Sequence, residues 1–97
     1  MKVFWTRTAR SHLSAIYDYV ALHSPEYGKR IVDRLTRRSR QIAQFPLAGR
    51  VVPEMGRGQI REVMEEPYRI IYFIRSDRVD VLAVVHGSRK FWNVDGG

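Results

Sequence analysis

The chain contains no cysteine. That absence excludes a disulfide framework, a thiolate metal site and a cysteine nucleophile, and it suits a reducing compartment. Long apolar runs are also missing. The longest, Ile70–Ile74 and Val81–Val85, fall far short of the roughly 18–20 residues that span a bilayer. The opening Met1-Lys2-Val3-Phe4-Trp5-Thr6-Arg7 carries no sustained apolar segment, so neither a secretory leader nor a membrane anchor is expected. There is no Gly-x-Gly-x-x-Gly, no phosphate-binding loop and no nucleophile elbow. Three scattered histidines without cysteines do not form a metal site, and no cofactor is expected. Lysine is scarce, with 3 against 14 arginines.

What is present fits one small, basic, cytoplasmic domain. Ninety-seven residues suffice for a single core, and 44% hydrophobic with 28% charged residues argues against disorder. Net charge is +7, and it is concentrated. Between Lys29 and Arg50 seven cations face one anion, Asp33. Arginine forks match phosphate and carboxylate groups bidentately, so this window points to a polyanionic or acidic partner; the alternative is a solubilising helix face.

Lys2–Thr6 alternates and reads as a strand. Thr6 is placed to cap a helix whose apolar stripe is Ala9, Leu13, Ile16, Tyr17 and Val20, ending near His23. His12 and His23 are expected on its surface. Ser24-Pro25-Glu26 supplies a cap, a first-turn proline and a first-turn acid for a second helix. That helix buries Ile31, Leu35, Ile42 and Phe45, carries Arg30, Arg34 and Arg38 four residues apart on one face, and stops at Pro46. Pro46–Gly58 is a loop in which Arg50-Val51-Val52 can add a short strand. Gln59–Glu65, Tyr68–Arg75 and Arg78–His86 read as strands, the last apolar on both faces as in a central strand. The predicted fold is therefore α+β, in the order β-α-α-β-β-β: a small antiparallel sheet with an N-terminal helical hairpin packed on one face. Residues 1–97 form a single domain, with a loosely ordered tail over 90–97.

Strand alternation puts Tyr68, Ile70, Tyr72 and Ile74 under the helices and Arg69, Ile71, Phe73 and Arg75 on the opposite, open face. Arg61 and Arg89 are expected near Arg69, where three arginines would hold a phosphate or stabilise charge on one. In the alternative, each arginine pairs with Glu62, Glu65 or Glu66. His86 is either a general acid–base or a hydrogen-bonded strand end. Phe91 and Trp92 either fold back on the core edge or form an exposed anchor for a partner.

The pieces occur in a familiar order: Trp5-Thr6, Ala9 and Leu13, Ile16, Tyr19-Val20, Ser24-Pro25, Phe45-Pro46, Gly49-Arg50, Ile60-Arg61-Glu62, Tyr68-Arg69-Ile70-Ile71-Tyr72 and Val84-Val85-His86-Gly87-Ser88-Arg89. From Val3 to Arg89 the chain resembles the RelE/ParE superfamily of toxins from bacterial type II toxin–antitoxin modules. The resemblance implies a helical hairpin on a small antiparallel sheet. It also implies one of two targets. RelE-like members cleave mRNA on the ribosome; ParE-like members do no chemistry and poison DNA gyrase.

In the RelE-like branch Arg69 would be catalytic, with Arg61, Arg89 and His86 as further candidates. That branch also uses lysines on the preceding strand and a tyrosine near the C-terminus. Gln59–Glu66 has no lysine and three acids, and Phe91 and Trp92 stand where the tyrosine would be. The His-Gly-Ser-Arg ending looks ParE-like, so the chain is read as more ParE-like than RelE-like. The resemblance further implies a cognate antitoxin with an acidic tail; Arg30, Arg34, Arg38, Phe91 and Trp92 are the candidates for binding the antitoxin or the target. It leaves operator DNA to the antitoxin.

Overall fold

A computed structural model describes residues 1–88. Strand β1 (Lys2–Trp5) leads into helix α1 (Arg7–Ala21) and helix α2 (Pro25–Gln44). A 3₁₀ turn, Pro46–Ala48, is followed by the two-residue β2 (Arg50–Val51) and then β3 (Ile60–Glu65), β4 (Tyr68–Ile74) and β5 (Arg78–His86). The predicted α+β order is the observed one. The suggested extra strand is present as β2.

Helix starts follow from side-chain caps. Thr6 Oγ1 accepts from the Ala9 amide at 3.1 Å and donates to the Val81 carbonyl at 2.9 Å, so one hydroxyl both starts α1 and fixes it to β5. Ser24 Oγ accepts from the Tyr27 amide at 3.1 Å, with Pro25 in the first turn of α2.

The five strands lie in the order β1-β5-β4-β3-β2. Pairs β2–β3, β3–β4 and β4–β5 are antiparallel, and β1 runs parallel to β5. The sheet is thus mixed, because β1 takes the edge beside the last strand. That placement makes β5 central and explains its two apolar faces. Between the helices and the sheet, Ala9, Ile31, Leu35 and Ile42 pack on Ile70, Tyr72, Val79 and Val81, as the alternation of β4 requires.

The other face is not bare. Ile60, Ile71, Ala83 and Val85 form a second apolar cluster there, covered by Val52 and Met55. The loop after β2 folds over this face because four apolar side chains on it would otherwise stand in water. His12 also departs from its expected surface position. It is half-buried, and its Nδ1 accepts from the Val84 amide at 3.2 Å, beyond the point where β1 stops covering β5.

Candidate functional site

The face under the Val52–Met55 loop holds the polar feature buried most deeply. Glu62 is 1% exposed and Arg69 5%. Arg69 Nη1 donates to Glu62 Oε1 at 2.5 Å, and Arg69 Nη2 lies 3.6 Å from Glu54 Oε2. The second oxygen of Glu62 is bonded by Arg50 Nε, which projects from the edge strand β2. Four residues from β2, the loop, β3 and β4 thus alternate in charge, two basic and two acidic. Pairing is what makes such burial tolerable, since an isolated charge out of water is strongly unfavourable. Of the two expectations for Arg69, pairing with Glu62 is the one observed, and the arginine is not displayed on an open face.

Arg61 does not join it. Register pairs Arg61 with Tyr72, which faces the helices, whereas Arg69 faces the other way. The Arg61 guanidinium donates to the carbonyls of Gly58, Leu47 and Gly49 at 3.0, 3.3 and 2.9 Å. It therefore ties the loop ends together. His86 pairs with Tyr68, again on the helix side. Arg61 and His86 lie opposite Tyr72 and Tyr68, positions separated by about 13 Å at 3.3 Å per residue. The expected approach of Arg61 to Arg69 is therefore not formed, because strand alternation and register separate them, and His86 stands apart from both. Arg89, Phe91 and Trp92 lie outside the described residues.

His86 instead lines a groove of about 440 Å³ between α1 and the ends of β4 and β5, with His12, Ile16, Tyr19, Tyr68 and Val84. Its ring meets Tyr68 edge to face at 6.2 Å, and its Nδ1 lies 2.9 Å from Ser88 Oγ. Burial raises the Tyr68 hydroxyl pKa above its ordinary value, helped by the neighbouring Tyr27 and Tyr19.

The α2 arginines divide. Arg34 forms a bonded pair with Glu65 at 2.9 Å, and Arg38 approaches the same carboxylate at 3.8 Å. Arg30 lies over the Tyr27 ring at 5.8 Å. Among the described residues no cluster of three or more His, Asp or Glu side chains is placed to hold a metal. No helix among them is long and apolar enough to cross a membrane.

A further buried polar cluster escaped sequence reasoning. The Tyr72 hydroxyl donates to the Pro46 carbonyl at 2.6 Å and accepts from the Gly49 amide at 3.1 Å. A Cβ on Gly49 would overlap that hydroxyl and come within 2.8 Å of the Glu62 carbonyl. Desolvation raises the Tyr72 pKa, partly offset by the Gly49 amide and by Arg61 and Arg38. Pro46 and Gly49 thus fix the tyrosine of the Tyr-Arg strand, a link visible only in the folded chain.

Residues 3–91 match the family described as the ParE toxin of the type II toxin–antitoxin system parDE. The chain belongs to that family and, with it, to the RelE/ParE superfamily of toxins. Toxin RelE2 of Caulobacter vibrioides is 32% identical over 89 residues, which cover 91% of this chain and 97% of that protein. A solved structure of the chromosomal ParDE system from P. aeruginosa superposes with a TM-score of 0.74 at 26% identity, covering 89% of this chain and 95% of the other.

Proposed function

We propose that this toxin arrests growth by inhibiting DNA gyrase, as ParE-like members do, and that a cognate antitoxin neutralises it. The observation that carries the reading is the buried pairing of Arg69 with Glu62 and Glu54. In a ribonuclease of the RelE-like branch this arginine would have to meet a phosphate. Here two carboxylates occupy its charge, and the Val52–Met55 loop covers its face. Arg61 and His86, the other candidates for acid–base or charge-stabilising work, lie on the opposite side of the sheet. A gyrase-directed protein needs a binding surface and no such constellation. The similarity to a solved ParDE system supports an antitoxin partner.

The ribosome-dependent ribonuclease is the second reading, favoured by the 32% identity to a protein named Toxin RelE2. Primer extension on mRNA from a reconstituted translation reaction separates the two. The gyrase reading predicts intact mRNA at protein levels that arrest growth in cells. Ribosome-dependent cuts that vanish on adding antitoxin would overturn it.

A further inference from the structure

Helix α2 presents its charge in two sectors, and only one meets an acidic partner from the sheet. At 100° per residue, Gly28, Ile31, Leu35, Ser39, Ile42 and Ala43 form the buried side. Arg34 and Arg38 lie on the flank beside β3, where Glu65 meets both. The outermost arc, about 120° wide by the same geometry, holds the charged residues Glu26, Lys29, Arg30, Asp33, Arg37 and Arg40, all exposed. Lys29, Arg37 and Arg40 form no ion pair among the described residues, and neither does Asp33. Arg30 only overlies Tyr27. Four cations and two anions, Glu26 and Asp33, therefore line a straight strip about 21 Å long at 1.5 Å per residue, and the cations predominate from Lys29 onward.

The composition of the strip points to its ligand. Protein interfaces are anchored by apolar and aromatic side chains at their centres. From Lys29 to Gln44 the arc contains none: its remaining members are Gln41 and Gln44. Surfaces that bind a nucleic-acid backbone have the opposite character, polar and strongly positive, with guanidinium forks matched to phosphate oxygens. A rigid helix also holds its cations at fixed spacing, which suits the regular phosphates of a duplex.

We propose that the outer face of α2 binds the sugar–phosphate backbone of duplex DNA directly, without reading sequence. Lys29, Arg30, Arg37 and Arg40 make the phosphate contacts, and Arg34 and Arg38 hold the flank against Glu65. This assigns the chain its own share of DNA contact, independent of whether gyrase or mRNA is its target.

The test is fluorescence anisotropy of a labelled 20-base-pair duplex of arbitrary sequence, titrated with the full chain over a salt series. Arg37→Glu/Arg40→Glu is compared with Arg7→Glu/Arg10→Glu, which makes the same change in net charge at exposed positions on α1. Circular dichroism and urea melts check that both fold. Each phosphate contact contributes about 0.9 to the slope of log affinity against log salt. The first variant should lose about two units of slope and on the order of tenfold or more in affinity at low salt, and the second should bind almost as the wild type does. Equal losses in both variants would reduce the effect to net charge and overturn the proposal. So would absence of binding at 50 mM salt. A poly-glutamate peptide that binds more tightly than the duplex at equal ionic strength, and is lost with Arg37→Glu/Arg40→Glu, would overturn it in favour of an acidic protein partner.

Discussion

Arg69 and Glu62 reach each other diagonally across β3 and β4, 2.5 Å apart and almost without solvent. A pair this buried tests differently from a surface pair. Removing one partner leaves the other charged and dry, which costs about 3–5 kcal/mol. Arg69→Ala should lose stability on that scale in urea melts. The double variant Arg69→Met/Glu62→Met should lose clearly less than the sum of its singles, since Arg50 is exposed and able to hydrate.

The Glu65 pairs should behave otherwise. Arg34 and Arg38 are 39% and 34% exposed at the side chain. Solvent screens such pairs, so Arg34→Ala should cost no more than about 1 kcal/mol by the same melts. Comparison with Arg69→Ala then separates the buried ion pair from the surface ones.

Tyr72 supplies a third prediction. Tyr72→Phe leaves the Gly49 amide and the Pro46 carbonyl without their shared partner, at a cost of about 1–3 kcal/mol. Gly49→Ala should destabilise as well, because the added methyl displaces the hydroxyl.

The raised pKa of the Tyr72 hydroxyl sets a pH dependence. The folded chain keeps this proton where the unfolded chain has lost it. The contribution is fully present below the ordinary tyrosine value of about 10, and it falls as pH rises through the folded value. Tyr68 shifts the same way and adds to the effect. Urea midpoints should therefore decline above about pH 10, and less steeply in Tyr72→Phe.

The caps give the last stability prediction. Ser24→Ala removes the acceptor of the Tyr27 amide and should cost about 1 kcal/mol. Thr6→Ala also loses the bond to Val81 and should cost more than Ser24→Ala in the same thermal unfolding series.

Local signals carried most of the fold. Thr6 and Ser24-Pro25 marked the helix starts, and the alternation of Tyr68–Ile74 assigned each side chain its face. The apolar run of β5 marked a central strand. The parallel β1–β5 pair was not legible, because nothing within Lys2–Trp5 states which strand it will join. The covered lower face was missed for the same reason: Val52 and Met55 act only through tertiary contact with Ile71, Ala83 and Val85. For the site, alternation set Arg61 and Glu62 on opposite faces of β3, and only the β3–β4 register puts Glu62 on the face of Arg69. Proximity in sequence suggested a cluster that register forbids.

The action proposed for this toxin is the inhibition of DNA gyrase. Its most direct test is gyrase-catalysed supercoiling of relaxed plasmid in the presence of the purified protein. Inhibition of gyrase predicts loss of supercoiling with accumulation of cleaved plasmid, both reversed by the cognate antitoxin. Undiminished supercoiling, at protein levels that arrest growth, would contradict it.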